Sequence, residues 1–231
     1  MLPVQTIRLF SGLPEQAVRK ILARSEERRF ERRQGLFRQG DPIAGLFLIR
    51  AGTVKLSQLG PAGHEVIMRL AGAGDVIAAV AAFNQPERFP VGAAALDDVE
   101  VVFWERQTAQ KLAEEVPAFA AALTREISRQ AHGFQLRLRE VATERVPQRL
   151  ARLLLRLAEQ AGVSQENGIR IDIPLTRQDL AQMTGTTLYT ISRLLSDWAE
   201  RGLVEIGRAR VTVRSASGLG ELAGASESSE N

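Results

Sequence analysis

The chain of 231 residues contains no cysteine. This absence excludes disulfides, thiol redox switches, cysteine-ligated iron–sulfur clusters and zinc fingers. The chain also lacks an apolar run long enough to span a membrane, and its start lacks the charged-then-apolar pattern of a signal peptide. We therefore expect a cytoplasmic protein that has no membrane partner.

The residues that would carry catalysis are scarce as well. The chain has two histidines, and neither lies in its last third. No glycine-rich phosphate loop precedes a helix pattern, and no pair of histidines has the spacing of a metal site. We predict that the protein is not an enzyme, with no catalytic residue and no metal ligand.

What the chain does have is arginine. Hydrophobic residues make up 45% of it and charged residues 25%, which is ordinary for a globular protein. Residues 145–214 contain eleven arginines, no lysine and seven acidic residues, an excess of four positive charges. A basic region of this kind suits contact with the phosphates of nucleic acid.

Short extended segments separated by glycines run from about residue 26 to residue 104. They are residues 29–32, 46–50, 53–58, 65–70, 91–95 and 99–104. Many short strands with turn signals at this spacing favour a β-sandwich or barrel. A jelly-roll barrel is the version that we predict.

A helical pattern follows, from about residue 108 to residue 141. Its apolar seam, spaced mostly by threes and fours, consists of Val116, Ala120, Leu123, Ile127, Phe134, Leu138 and Val141. The helix can lie on its own barrel or pair with its twin in a dimer. Its length favours a homodimer. Pro147 then interrupts the chain, and we predict a hinge and a domain boundary there.

The stretch Leu175–Val204, LTRQDLAQMTGTTLYTISRLLSDWAERGLV, has the pattern of a helix-turn-helix. Thr176 can cap a first short helix, and Gly185 suits a tight turn that needs positive φ. Thr187 can cap a second helix. Apolar residues recur on one face of that helix at Ile191, Leu194, Leu195 and Trp198.

The opposite face of this second helix carries Leu188, Tyr189, Ser192 and Arg193. A docked helix that presents such side chains from its first turns suits the DNA major groove. We predict a recognition helix over about 187–201, with these four residues reading bases. Arg193 is the strongest candidate, since a guanidinium can bond guanine O6 and N7 together.

The flanking segments complete a winged helix. A helix over 148–161, a loop over 162–168 and a strand over 169–173 precede the helix-turn-helix. After it, we predict that residues 204–213 form a hairpin with Arg208 and Arg210 at or beside its tip, where they can reach a phosphate backbone.

These patterns predict an α+β chain with a jelly-roll barrel, a long dimerisation helix and a winged helix-turn-helix domain. The predicted parts are a barrel over 1–107, a dimerisation helix and hinge over 108–146, a DNA-binding domain over 147–214 and a mobile tail over 215–231.

Three segments carry a resemblance to a known family. They are LFRQGDPIAGLFLIRAGTVKLSQLGPAGHEVIMRLAGAGDVI (36–77), VPQRLARLLLRLAEQ (146–160) and the helix-turn-helix stretch. From about residue 8 to residue 214 the chain resembles bacterial transcription regulators of the CRP/FNR family. The resemblance implies a homodimer that inserts two recognition helices into an inverted-repeat DNA site and acts on RNA polymerase.

The resemblance also implies roles for single residues. Those matching the backbone-contacting positions of the family are Thr176, Arg177, Gln178, Thr187 and Thr190. Ser192 and Arg193 resemble the FNR branch. Tyr189 departs from the family, because most members have glutamate there, so we expect an operator different from the standard half-sites.

The same resemblance gives expectations about an effector. Cyclic-AMP-binding members have a glutamate in the segment matching residues 74–81, then arginine-serine and threonine-serine. This chain lacks the glutamate and has Phe89-Pro90 and Phe134-Gln135 at the two other places. Although Arg88 is adjacent, we do not expect cyclic AMP as a ligand.

Haem is an alternative effector, because RFPVGAAAL (88–96) resembles the branch that responds to nitrogen oxides. The side chains that define a candidate pocket are Arg88, Phe89, His132, Phe134 and Gln135. His64 and His132 are the histidines available as ligands, and a surface position is the simpler interpretation of each. An iron–sulfur cluster is excluded by the missing cysteines.

Two further functional hypotheses stay open. The barrel can belong to a ligand-sensing or protein-interaction module without specific DNA binding. The protein can also be a haem-dependent or nitric-oxide-responsive member of the family.

Overall fold

The computed structural model describes residues 7–61, 63–83 and 87–224. The chain forms two compact units, Met1–Phe134 and Gln135–Asn231. In the first unit the helices are α1 (Glu15–Leu22), α2 (Arg106–Glu115) and the larger part of α3 (Pro117–Thr143). Its strands are β1 (Glu26–Phe30), β2 (Gly35–Phe37), β3 (Gly45–Ala51), β4 (Val54–Leu59), β5 (Glu65–Ala71), β6 (Val76–Ile77), β7 (Gly92–Ala95) and β8 (Val99–Glu105).

The barrel consists of two antiparallel four-stranded sheets. Their strand orders are β1-β8-β3-β6 and β2-β7-β4-β5. Both sheets contribute buried side chains to one core, in which the Phe37 ring of β2 lies 5.6 Å from the Phe47 ring of β3. The jelly-roll prediction is confirmed, although the sequence patterns missed the short strands β2 and β6.

The single long helix predicted over 108–141 is wrong. The structure has two helices, α2 and α3, separated by Val116 at φ −130° and ψ 83°. Pro117 explains the break, since proline lacks an amide hydrogen and disfavours helical backbone in the residue before it. Pro117 then occupies the first position of α3, where its missing hydrogen costs nothing.

The seam of that predicted helix also divides into two parts. Val116 and Leu123 are buried in the barrel core of their own chain, and Ile127 packs against the same core. Val116 and Leu123 are therefore wrong as residues of a dimer interface, because exposures of 8% and 0% leave almost no surface for a partner. Ala120 is half-buried on the same stretch of α3.

The second unit holds the end of α3 and a small α/β domain. Its helices are α4 (Val146–Ala161), α5 (Arg177–Thr184), α6 (Leu188–Glu200) and α7 (Ala216–Gly224). Its strands, in the order β11-β12-β10-β9, are β9 (Gly162–Gln165), β10 (Gly168–Ile171), β11 (Val204–Gly207) and β12 (Arg210–Val213). The loop predicted over 162–168 is wrong, since residues 162–165 pair with β10 as a strand.

The mobile tail predicted from residue 215 is wrong as far as the structure describes it. Residues 216–224 form α7, which packs on α4 and buries Leu219 and Ala223. The Arg152 guanidinium donates to the Ala223 carbonyl at 2.9 Å and fixes the end of α7. Residues 225–231 lie outside the described part.

The predicted hinge at Pro147 coincides with a bend between α3 and α4 that several hydrogen bonds hold. The Arg145 amide donates to Gln148 Oε1 at 2.9 Å, and Arg149 donates to the Glu144 carbonyl at 2.6 Å. The carboxylate of Glu140, which is buried, pairs with Arg156 at 2.5 Å. Pro147 lies in the first turn of α4, so the helix begins slightly before the predicted break.

The two compact units divide within α3 at 134/135. This division does not test the predicted domain boundaries at 107/108 and 146/147, which stay predictions.

Among the described residues, no helix combines the length and the apolar character that a membrane crossing requires.

Candidate nucleic-acid interface

The first helix of the predicted helix-turn-helix begins at a reciprocal cap. The Thr176 hydroxyl accepts from the Asp179 amide at 3.1 Å, and the Asp179 carboxylate accepts from the Thr176 amide at 2.8 Å. This arrangement satisfies two amide groups that the helix start leaves unpaired. It also leaves Arg177 and Gln178 exposed at the beginning of α5.

The turn between α5 and α6 depends on Gly185. This residue has φ +64° and ψ 45°, the left-handed conformation that ends many helices. The Arg149 side chain of α4 donates to the Thr184 carbonyl at 3.0 Å and so attaches the end of α5 to α4. Arg149 was not among the predicted site residues, because no sequence pattern connects it to Thr184.

The second helix, α6, is capped by Thr187. The Thr187 hydroxyl accepts from the Thr190 amide at 3.2 Å, and the two threonine hydroxyls lie 2.9 Å apart. Ile191, Leu195 and Trp198 are buried along one face, which fixes the helix on the domain. The caps, the turn and the buried stripe agree with the sequence-based prediction.

The opposite face of α6 carries the predicted base-reading residues. Leu188 and Arg193 are exposed, Ser192 is half-buried, and Tyr189 has 70% of its surface exposed. All four lie in the first six residues of the helix, where a recognition helix makes its base contacts. Their role in reading bases stays a prediction.

The tip of the wing is formed by Arg208 and Ala209, between β11 and β12. Gly207 pairs with Arg210 at the end of the ladder, and Arg208 and Arg210 are both exposed. Two cations at the tip of a hairpin can contact phosphates on either side of a groove.

The predicted effector residues differ in their exposure, and whether they form one pocket stays a prediction. Phe89 is buried in the barrel core, and its ring stacks on that of Phe37 with centroids 3.7 Å apart. Arg88 is exposed and donates to the Gly40 carbonyl at 2.8 Å. Placing Phe89 in an open pocket is therefore wrong, because its own barrel already fills the space around the ring.

The remaining effector candidates lie on the surface. His132, Phe134 and Gln135 are exposed on α3, and His64 is exposed near the turn before β5. In the part of the chain that the structure describes, no group of three or more histidine, aspartate or glutamate side chains could hold a metal ion.

The later part of α3 exposes apolar side chains. The exposed fractions are 39% for Phe134, 71% for Leu138 and 54% for Val141. These are the last three residues of the predicted dimer seam, and they contrast with the buried first part of that seam.

Two family models match the chain. A cyclic nucleotide-binding domain matches residues 27–116, and a Crp-like helix-turn-helix domain matches residues 148–222. These ranges coincide with the barrel and with the domain that contains α5 and α6.

Curated relatives are similar over most of the chain. A global nitrogen regulator from Synechococcus elongatus is 30% identical over 80% of this chain and 83% of its own length. A cyclic AMP receptor protein from Thermus thermophilus is 29% identical over 93% of this chain and 96% of its own length. These names are those of regulators, in agreement with the prediction that the chain is not an enzyme.

A solved structure supports the same fold. FixK2 from Bradyrhizobium japonicum superposes with a TM-score of 0.76 at 20% identity, covering 86% of this chain and 96% of that one. At this identity the likeness concerns the fold alone.

Proposed function

Since the chain belongs to the CRP/FNR family of DNA-binding transcription regulators, we propose that it binds an inverted-repeat operator as a homodimer and regulates transcription there. The recognition helix α6 of each protomer enters the major groove of one half-site. RNA polymerase is the further partner, and the cytoplasm is where the protein meets its DNA.

The observation that carries the proposal is the division of α6 into two faces. One face is buried through Ile191, Leu195 and Trp198, and the other exposes Leu188, Tyr189 and Arg193. A helix that is packed on one face and exposed on the other presents its side chains to base edges from a fixed backbone.

Contacts with the DNA backbone come from both sides of α6. The side chains assigned to phosphates are Thr176, Arg177, Gln178, Thr187, Thr190, Arg208 and Arg210. Arg177 and Gln178 are exposed at the start of α5, where the helix dipole favours an anion. Arg208 and Arg210 at the wing tip reach the phosphates that flank the groove.

The dimer interface that we propose is the exposed apolar face of the later part of α3. It consists of Phe134, Leu138 and Val141. A helix face with such side chains at spacings of four and three residues suits pairing with the same face of a second copy.

Cyclic AMP does not regulate this protein in our proposal. The position that matches the phosphate-binding arginine in the family is Phe89, whose ring is stacked on Phe37. A buried phenyl ring offers no positive charge to a cyclic phosphate. No observation favours haem over the absence of an effector, since His64 and His132 are both exposed.

The test is a selection of bound sequences from a random DNA library with the full chain, followed by affinity measurements at several salt concentrations. We expect the selected sequence to be an inverted repeat. We expect Arg193→Ala to lower the preference for the correct base at one base pair of each half-site by about 5- to 150-fold. Arg208→Ala serves as a matched control. It removes one arginine from each of the two wings and should weaken binding to all sequences alike, with a salt slope lower by about two.

Enrichment of no sequence, together with binding that depends on salt alone, would contradict the proposal. It would favour the sensing or interaction module without specific DNA binding. An enriched sequence without two-fold symmetry would contradict the homodimer.

A further inference from the structure

Tyr189 and Arg193 lie one turn apart on the exposed face of α6. The guanidinium carbon of Arg193 is 5.8 Å from the centre of the Tyr189 ring. This distance is within the range of about 6 Å over which an aromatic face attracts a cation. The chain contains a single tyrosine, and it occupies this position.

The direction of the Arg193 side chain follows from helix geometry. Side chains on an α-helix lean toward its N-terminus, so Arg193 reaches back to Tyr189 more easily than forward to Asp197. Asp197 instead pairs with Arg201, with 3.3 Å between nitrogen and oxygen. Within the described residues, no ion pair involves Arg193, so the ring is the contact that orients its guanidinium.

A contact with an aromatic ring leaves the edge of the guanidinium free. The five N–H donors of arginine lie in the plane of the guanidinium group. The aromatic ring attracts the charge of this group and leaves these donors free for hydrogen bonds. Arg193 can therefore be held by Tyr189 and still donate two hydrogen bonds to guanine O6 and N7.

The chemistry beside Arg193 is neutral. The acidic residues of α6 are Asp197 and Glu200, and both follow Arg193 in the helix. The first two turns thus carry no carboxylate that could accept from cytosine N4. Tyr189 and the exposed Leu188 offer apolar surface there, which suits the methyl group of thymine.

We propose that Tyr189 is a positioning and specificity-determining residue: its ring holds Arg193 on a guanine, and its apolar surface selects thymine at the neighbouring base pair. This inference rests on the proposed DNA-binding function and adds the chemical identity of two bases in each half-site.

The test is a double-mutant cycle on the full chain, with the operator selected by the unmodified protein. The variants are Tyr189→Ala, Arg193→Ala and the double variant, each measured on the operator and on operators with that guanine replaced. We expect Tyr189→Ala to lower the preference for guanine by about two- to fivefold, the effect of an exposed cation–π contact. The double variant should lose no more preference than Arg193→Ala alone.

Two substitutions separate the ring from its hydroxyl and its charge. Tyr189→Phe keeps the ring and should keep the guanine preference, which a role through the hydroxyl would not. Tyr189→Glu introduces a hydrogen-bond acceptor. We expect this variant to prefer cytosine over thymine at the neighbouring base pair by about tenfold. Arg201→Ala is the charge-matched control for Arg193→Ala, and it should leave every base preference unchanged.

The outcomes distinguish this inference from the proposed function. If the unmodified chain selects an operator but the two single effects simply add, or Tyr189→Phe loses as much guanine preference as Tyr189→Ala, the positioning role is wrong and DNA reading stands. A selected operator with cytosine beside the guanine overturns the choice of thymine. If no operator is selected, both proposals fall together.

Discussion

The rings of Phe89 and Phe37 stack in the barrel core, with centroids 3.7 Å apart and planes inclined by 12°. Phe37 in turn contacts Phe47, whose ring lies 4.8 Å from that of Phe103. Four aromatic side chains therefore run through the barrel from the segment before β7 to β8. These rings fill the space that they share with apolar surface, whereas a phosphate requires a positively charged or hydrogen-bonding partner.

Phe89→Ala should destabilise the barrel by about 3–5 kcal/mol, because it removes a buried ring and leaves a cavity beside Phe37. Urea unfolding followed by fluorescence or circular dichroism measures the change. Leu59→Ala is the control, since its side chain is 58% exposed and its loss should change the unfolding free energy little. Equal effects of the two substitutions would contradict the role given to the stack.

Cyclic AMP should leave the melting temperature and the operator affinity of the protein unchanged. A ligand that binds only the folded state stabilises it in proportion to the logarithm of its concentration. A melting temperature that rises steadily with cyclic AMP concentration would therefore show binding. Such a rise would overturn the proposal that Phe89 replaces the phosphate partner.

Leu138→Glu should weaken the homodimer, since it places a charge at an apolar position that is 71% exposed in the single chain. Each interface contains this residue twice, so we expect the dimer dissociation constant to rise by at least about 100-fold. Sedimentation velocity over a range of protein concentrations measures it. Leu59→Glu makes the same change at an exposed position on β4 and should leave the association unchanged; a loss of dimer in both variants would argue against the α3 interface.

Gly185→Ala should destabilise the DNA-binding domain by about 1–2 kcal/mol, because an L-residue is strained at φ +64°. A Cβ at this position would meet no atom within 4 Å, so the effect reports backbone strain without a clash. Gly220→Ala on α7 also meets open space, but its φ is not positive. That control should be neutral or stabilising in thermal unfolding, and a loss of stability equal to that of Gly185→Ala would refute the explanation by strain.

The barrel should lose stability as the pH falls from about 4.5 to about 2 through the protonation of Glu115. Hydrogen bonds from Arg24 and Lys20 lower the pKa of Glu115 from 4.5 to about 2. The stabilising effect of the carboxylate is complete above its unfolded pKa and disappears as the pH falls through the folded value.

Urea unfolding of the unmodified chain and of Glu115→Gln over this pH range measures the difference. The variant should show a shallower dependence of its unfolding free energy on pH, and high salt should reduce the difference, because the group is exposed. Glu114→Gln is the control, since this neighbour makes no ion pair within the described residues. Identical pH profiles for Glu115→Gln and the unmodified chain would contradict the assignment.

The sequence alone determined the features whose causes are local. Thr176, Gly185 and Thr187 occupy positions where a cap or a positive φ depends on the residue type itself, and each was placed correctly. The buried stripe of α6 followed from its 3.6-residue period, and the glycine-separated strands predicted the barrel. These features need only the chain within a few residues, and a local pattern can therefore predict them.

Only the tertiary structure decided which apolar residues serve the core of their own chain. The spacing along α3 gives Leu123 and Leu138 equal standing, yet Leu123 is buried in the barrel core and Leu138 is exposed. The same holds for Phe89, which a motif comparison placed in a pocket and the packing against Phe37 places in the core. Burial depends on which other elements arrive at a surface, and no period in one segment carries that information.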